Sequence, residues 1–313
     1  MDALLKKFLK HDRLALSRLV SVVENRSDQL AKIMDAIHDR VRNTSVLGIT
    51  GPPGAGKSTL VNQLIRQIRQ KKQTVGVIAI DPSSPFSGGA VLGDRIRMQD
   101  HSGDEGVFIR SLGSRGAHGG LSRATRDIVR LFDAFGMDWV IVETVGVGQT
   151  EFDIMEIAST TVVVLTPESG DTIQTMKAGL LEVADLFAVN KADREGADKI
   201  VLELKNMVHM NLSSEAEAWE VAVLQTQAAN GIGVIELFQK IEAHEQSIRQ
   251  SGSLKKRVHK IRGIELQEIL LETLSKDLEK KFREDPRYQK IKQQVEIGEL
   301  SAYAGAAKLQ ELP

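Results

Sequence analysis

Val46-Leu-Gly-Ile-Thr50 runs directly into Gly51-Pro-Pro-Gly-Ala-Gly-Lys57-Ser58-Thr59, and this junction decides the fold. An apolar strand, a turn of the form G-x-x-x-x-G-K-[ST] and the opening of a helix follow one another in the order a phosphate-binding loop requires. Gly51, Gly54 and Gly56 let the backbone curl tightly, with Pro53 and Ala55 between them, so that N–H groups and the dipole of the following helix face phosphate oxygens. Lys57 is expected to neutralise the β- and γ-phosphates as a catalytic cation. The Ser58 hydroxyl is expected to bind Mg²⁺, with Thr59 continuing the loop into the helix.

Outward from this junction, short apolar runs read as buried strands at Ser45–Thr50, Thr74–Ile80, Val107–Ser111, Trp139–Glu143, Thr160–Thr166, Leu186–Val189 and Glu220–Leu224. Helical periodicity separates most of them, at Lys57–Gln70, Leu121–Phe135, Thr172–Leu181, Asp198–Met210 and Gly233–Ala243. Alternation of this kind predicts an α/β fold, a mostly parallel central sheet with helices on both faces. Between Leu4 and Val41, apolar residues three and four apart suggest two amphipathic helices. Ser251–Ser253 reads as a hinge, beyond which Val258, Ile261, Ile264, Ile269, Leu270, Leu274, Leu278 and Phe282 continue a helical stripe that Pro286 should break. That stripe either packs on its own chain or pairs two subunits. The expected organisation is an N-terminal helical extension (1–40), a nucleotide domain (41–248) and a C-terminal helical arm (249–313).

Composition narrows the function classes. Over 313 residues, 41 basic and 42 acidic side chains nearly cancel, which removes the electrostatic footprint of a nucleic-acid or anionic-membrane binder. The absence of cysteine excludes disulfides, thiolate-bound zinc, iron–sulfur clusters and a catalytic thiol. The charged start, Met1-Asp-Ala-Leu-Leu-Lys-Lys, lacks the apolar centre of a signal peptide, and no later run reaches the ~18 apolar residues of a membrane span. A cytoplasmic protein is expected.

Asn190-Lys-Ala-Asp193 follows Leu186–Val189 and so falls on the same sheet rim as the phosphate loop. Guanine offers two donors, N1–H and its exocyclic amine, that one carboxylate can accept together, whereas adenine offers an acceptor at N1. Asp193 is therefore the expected discriminator, a buried carboxylate that would lose both bonds against adenine. Asn190 can hold the loop or reach the base N7, and the Lys191 stem can lie over the purine. Thr226-Gln227-Ala228, at the next strand end, could supply backbone contacts to the guanine oxygen.

Trp139-Val-Ile-Val-Glu143 ends a strand in a carboxylate and leads to Gly146, so Glu143 is expected near the metal and Gly146 near the γ-phosphate. The acid is Glu where Asp is usual, which leaves direct ligation or action through a metal-bound water open. Asp81 ends another strand and Asp94 lies in a glycine-flanked segment; both could approach Mg²⁺ or orient water, and Asp94 joins Lys57 and Glu143 as a candidate catalytic residue. Val147 occupies the place where many switch GTPases carry a water-positioning Gln, so slow intrinsic hydrolysis is expected, with Gln149 two residues further on.

These residues resemble the MeaB/ArgK family of SIMIBI-class P-loop GTPases, older members of which were named LAO/AO transport kinases. The resemblance is carried by Gly51–Thr59, by Asp81-Pro-Ser-Ser-Pro-Phe-Ser-Gly-Gly-Ala-Val-Leu-Gly-Asp94-Arg95-Ile-Arg97-Met98, by Ser114-Arg-Gly116 with Gly119–Ser122, by Glu143–Gln149 and by Asn190–Asp193. It implies a P-loop NTPase fold, GTP hydrolysis, and protection and cofactor gating of an adenosylcobalamin-dependent acyl-CoA mutase such as methylmalonyl-CoA mutase. It also implies a homodimer joined through the C-terminal helices, and an additional switch loop at Pro167–Lys177 with Gln174 and Lys177 sensing nucleotide and partner. No kinase catalytic-loop signature accompanies the older name. Two other functions fit the same loop chemistry. A nickel metallochaperone GTPase would need a Cys/His surface site, against which zero Cys and scattered His count; a GTP-regulated scaffold would bind with negligible turnover.

Overall fold

The computed structural model describes residues 1–25, 27–42, 44–81, 99–101, 103–113, 120–144, 154–169, 183–210 and 219–312. Asp94, Gly146, Gln149, Gln174, Lys177 and the helix expected at Thr172–Leu181 lie outside them.

Among the described residues, seven strands form one parallel sheet: β1 (Ser45–Thr50), β2 (Val75–Asp81), β3 (Val107–Gly113), β4 (Trp139–Glu143), β5 (Thr160–Leu165), β6 (Leu186–Val189) and β7 (Ala222–Gln225), in the order β3-β2-β4-β1-β5-β6-β7. β1 is central. Val46 lies opposite Val140 and Ile49 opposite Glu143 on one side, while Thr50 lies opposite Val163 on the other. Chain connections leave β1 toward β2 and reach β5 from the other side, so the loop after β1 opens at the point where strand order reverses, the usual ligand position in such sheets.

Both faces of the sheet are covered, and the strands show it in their sequence. In β4, Val140 and Val142 point to one core while Trp139 and Ile141 point to the other; β5 and β6 divide in the same way. One core is capped by α4 (Lys57–Gln70), through Leu60, Val61, Leu64, Ile65 and Ile68, and by α7 (Val234–Gln250), through Leu237, Phe238 and Ile241. The other is capped by α6 (Ala197–Met210) and by α5 (Gly120–Phe135), and the N-terminal helices are layered on α5. Among the described residues these number three rather than the expected two: α1 (Asp2–Phe8), α2 (Arg13–Glu24) and α3 (Leu30–Ile37). The extra break comes at His11, whose φ of 61° stops α1, and Asp12 then caps α2 by accepting from the Ala15 amide.

The chain divides into two compact units, Met1–Leu254 and Lys255–Pro313. α7 runs on to Gln250, past the expected Ala243, because Ile241, His244 and Glu245 stay buried and prolong its packed face. Gly252, with φ of 72°, separates α7 from α8 (Ser253–Glu284). α9 (Pro286–Glu296) and α10 (Ala302–Gln310) follow. Pro286 ends α8 as expected and also opens α9 at its first position, with Asp285 as the cap, because the missing N–H has no intrahelical partner there. On α8, Leu266, Leu270, Leu271 and Leu274 are exposed.

Candidate functional site

The phosphate loop is built around two glycines at positive φ where any other residue would be strained and crowded. Gly51 adopts φ of 137°, and a Cβ there would sit 2.0 Å from the Val164 carbonyl oxygen of β5. Gly56 adopts φ of 87° and its Cβ would sit 2.4 Å from the Asn190 amide nitrogen. Gly56 is also the N-cap of α4 and, lacking a side-chain cap, leaves the first-turn amides of that helix available to an anion.

Lys57 is buried, and its ammonium donates to the carbonyl oxygens of Gly51 at 2.8 Å and Pro52 at 3.1 Å. The cation is thus held within the curl of the loop. Beneath it, the Ser58 hydroxyl donates to Glu143 Oε1 at 2.6 Å, joining the first turn of α4 to the end of β4. Both side chains are buried. Next to them, Thr144 donates through Oγ1 to Thr50 Oγ1 at 2.8 Å and through its amide to the Ile49 carbonyl at 3.0 Å. The sequence did not single out this threonine pair; its signal was the hydroxyl residue at each strand end. A hydroxyl and a carboxylate brought together at one buried point form an oxygen donor set, which suits a hard cation such as Mg²⁺.

The second loop is fastened to the first by Asn190. Its side-chain amide donates to the Ala55 carbonyl at 2.8 Å, and its Oδ1 accepts from the Ala228 amide at 3.0 Å and the Thr226 hydroxyl at 3.2 Å. Of the two roles open to Asn190, holding the loop is the one the geometry shows. Lys191, at a left-handed φ of 57°, reaches back to donate to the Gly54 carbonyl at 2.7 Å. Thr226–Ala228 is drawn in as well: the Thr226 amide donates to Val189, and Gln63 of α4 donates to the Ala228 carbonyl at 3.0 Å. Gln227 pairs with Ile232 across a short antiparallel bridge.

Asp193 departs from expectation in one respect. It is exposed at the rim, not buried. It stands in a turn beyond β6 that the Arg194 amide closes on the Lys191 carbonyl, with its carboxylate in water, so discrimination by it would rest on the two bonds gained with guanine. Asp81 is the last residue of β2, on the same rim. The neighbouring Arg194 pairs with Glu168 at 2.5 Å, a contact that sequence reasoning missed because the partners lie on different strand ends.

With this site in place, residues 16–283 match the family of methylmalonyl-CoA mutase-associated GTPases, MeaB. The chain belongs to the MeaB family. Over 307 residues it is 44% identical to a Pyrococcus abyssi protein named for a GTPase, spanning 98% of this chain and 94% of that one. It is 35% identical over 257 residues to the GTPase ArgK of Escherichia coli, covering 80% and 77% of the two chains. The mitochondrial methylmalonic aciduria type A homolog of Mus musculus is 31% identical over 271 residues, 81% of this chain and 65% of that one. A crystal structure of a LAO/AO transport system kinase superposes with a TM-score of 0.72 at 26% identity, covering 99% of this chain and 96% of that one. This MeaB-family protein is a GTPase with a P-loop fold. Among its described residues no helix is long and apolar enough to cross a membrane.

Proposed function

We propose that this GTPase is a cytoplasmic chaperone that protects an adenosylcobalamin-dependent acyl-CoA mutase, methylmalonyl-CoA mutase or a close relative, and gates loading of its cofactor. The observation that carries this reading is the match of residues 16–283 to a family described by its association with methylmalonyl-CoA mutase. The nucleotide site supplies the physical means.

In that site Lys57 would exchange its carbonyl partners for phosphate oxygens, and the first-turn amides of α4 would hold the β-phosphate. Ser58 and Glu143 would hold Mg²⁺, directly or through water, with Asp81 and Asp94 as further acids near it. A bound Mg²⁺ would supply neutralisation of charge developing on the β- and γ-oxygens. Asp193 would accept the two donors of guanine, while Lys191 would lie along the purine and Thr226–Ala228 would border its oxygen. Gly146 would meet the γ-phosphate, and Gln174 and Lys177 would report nucleotide state to the partner. With Val147 where a water-positioning Gln often stands, intrinsic hydrolysis would be slow and partner-stimulated.

The exposed leucines of α8 support a homodimer formed through the C-terminal helices, since an apolar helical stripe left in water is a docking surface for an equivalent one. The nucleotide would act as a switch, because γ-phosphate contacts order loops that hydrolysis releases.

The test is capture of methylmalonyl-CoA mutase by the full chain with GTP, GDP or no nucleotide. Capture that depends on the nucleotide supports the chaperone reading. Equal or absent capture in all three states would leave a GTP-regulated scaffold or another SIMIBI role.

A further inference from the structure

Arg194 stands immediately after the carboxylate that we assign to guanine, and its chemistry makes that placement hazardous. A guanidinium presents two parallel N–H donors in a planar fork, the same pattern that the guanine edge offers to a carboxylate. An arginine next to Asp193 is therefore a built-in mimic of the base, able to occupy the Asp193 oxygens. The structure shows where that guanidinium goes instead. Its Nη1 donates to Glu168 Oε1 at 2.5 Å, and Glu168 belongs to the short 3-10 turn Pro167–Ser169 that follows β5.

Two features bring the pair together. The Arg194 amide donates to the Lys191 carbonyl at 3.0 Å, closing a turn that fixes where the side chain leaves the backbone. Gly196, at φ of 89°, supplies the left-handed backbone that follows the turn, beside Pro167 of the Glu168 turn. The electrostatics follow the geometry. The Glu168 carboxyl is lowered from 4.5 to about 2, chiefly by the hydrogen bond from Arg194, with its own backbone N–H and the Thr166 hydroxyl assisting. The Arg194 guanidinium is raised, mainly by the hydrogen bond to Glu168 and then by its charge, and Asp193 contributes the smallest influence.

We propose that Glu168 is a specificity-positioning residue: it sequesters the Arg194 guanidinium so that the Asp193 carboxylate stays open to the guanine edge. Glu168 touches no nucleotide in this scheme and acts through Arg194. The pair is exposed on both sides, so its grip is modest and its effect on affinity is graded. The proposal rests on Asp193 reading guanine and extends that reading to the residue that guards it.

Equilibrium binding of GTP and xanthosine triphosphate to the full-length protein tests it, with Asp193→Asn as the control for the base reading. If Asp193→Asn does not shift preference toward xanthosine triphosphate, the reading itself fails. Given that shift, Glu168→Gln should weaken GTP binding by about two- to fivefold, the range an exposed ion pair commands. Arg194→Ala should bind GTP as the wild type does, because it removes the competitor, and Glu168→Gln with Arg194→Ala should regain wild-type affinity. A merely structural bridge would make the two single variants equally weak and would not be rescued by the double. Equal loss in both, no loss in Glu168→Gln, or weakened GTP binding in Arg194→Ala alone overturns the proposal.

Discussion

The Asn190 side-chain amide donates to the Ala55 carbonyl at 2.8 Å, tying the loop after β6 to the phosphate loop after β1. Because the same side chain accepts from the Ala228 amide and the Thr226 hydroxyl, three strand-end loops share one buried residue. Asn190→Ala would leave the Ala55 carbonyl and the Ala228 amide unsatisfied in a dry environment, at about 1–3 kcal/mol for each such group. The expected outcome is a lower urea midpoint with an unchanged slope, and weaker binding of every nucleoside triphosphate without change of base preference. A variant that lost only guanine selectivity would show that Asn190 reads the base instead of holding the loops.

Ser58→Ala removes the hydroxyl that meets Glu143 at 2.6 Å. If that pair is the Mg²⁺ anchor, kcat for GTP should fall by a factor on the order of 10² or more, as when one preorganised electrostatic group is deleted. The dependence of turnover on Mg²⁺ concentration should move to higher concentration. Unchanged Mg²⁺ dependence in steady-state hydrolysis would remove Ser58 from the metal site.

Asp193→Asn exchanges an acceptor of two hydrogen bonds for a group that offers one acceptor and one donor. GTP affinity should drop by about 10- to 100-fold, while xanthosine triphosphate, whose C2 carbonyl can accept, should improve relative to GTP. Competition binding of the two nucleotides measures the ratio. A ratio equal to that of the wild type would refute the guanine assignment.

The Glu168 carboxyl is held at about 2 against an ordinary 4.5, so its pair with Arg194 carries a pH signature. A depressed carboxylate stabilises the fold fully above its unfolded value, and that contribution declines as pH falls from 4.5 toward 2, where the folded carboxylate itself protonates. The difference in urea midpoint between wild type and Glu168→Gln should be constant above about pH 5.5 and shrink steadily below pH 4.5. A difference that stays flat down to pH 2.5 would mean that the pair adds nothing measurable to stability in solution.

The sheet was legible because its strands are buried on both faces and punctuated by turn residues. Ser45–Thr50, Trp139–Glu143 and Leu186–Val189 match their expected limits, and α4 spans the expected Lys57–Gln70. The break between α1 and α2 was not legible, since the left-handed His11 meets Phe135, far away in sequence, through its ring and its Nδ1, and has no glycine or proline to announce it. The site divides in the same way. Motif spacing placed the phosphate loop, Glu143 and Asn190–Asp193 on one rim, because position at a strand end is a property of sequence order. It left open what Asn190 bonds to, assigned Asp193 too much burial, and passed over the Glu168–Arg194 and Thr50–Thr144 pairs. Those relations depend on which strand ends become neighbours, and β5 and β6 are set beside one another only by the assembled sheet.

The central claim, that GTP turnover here serves an adenosylcobalamin-dependent mutase, is tested most directly by single-turnover GTP hydrolysis of the purified full chain with and without methylmalonyl-CoA mutase. Slow hydrolysis alone and a clear acceleration with the mutase is the expected result. Hydrolysis that is unchanged by the mutase, whether fast or slow, would contradict the coupling.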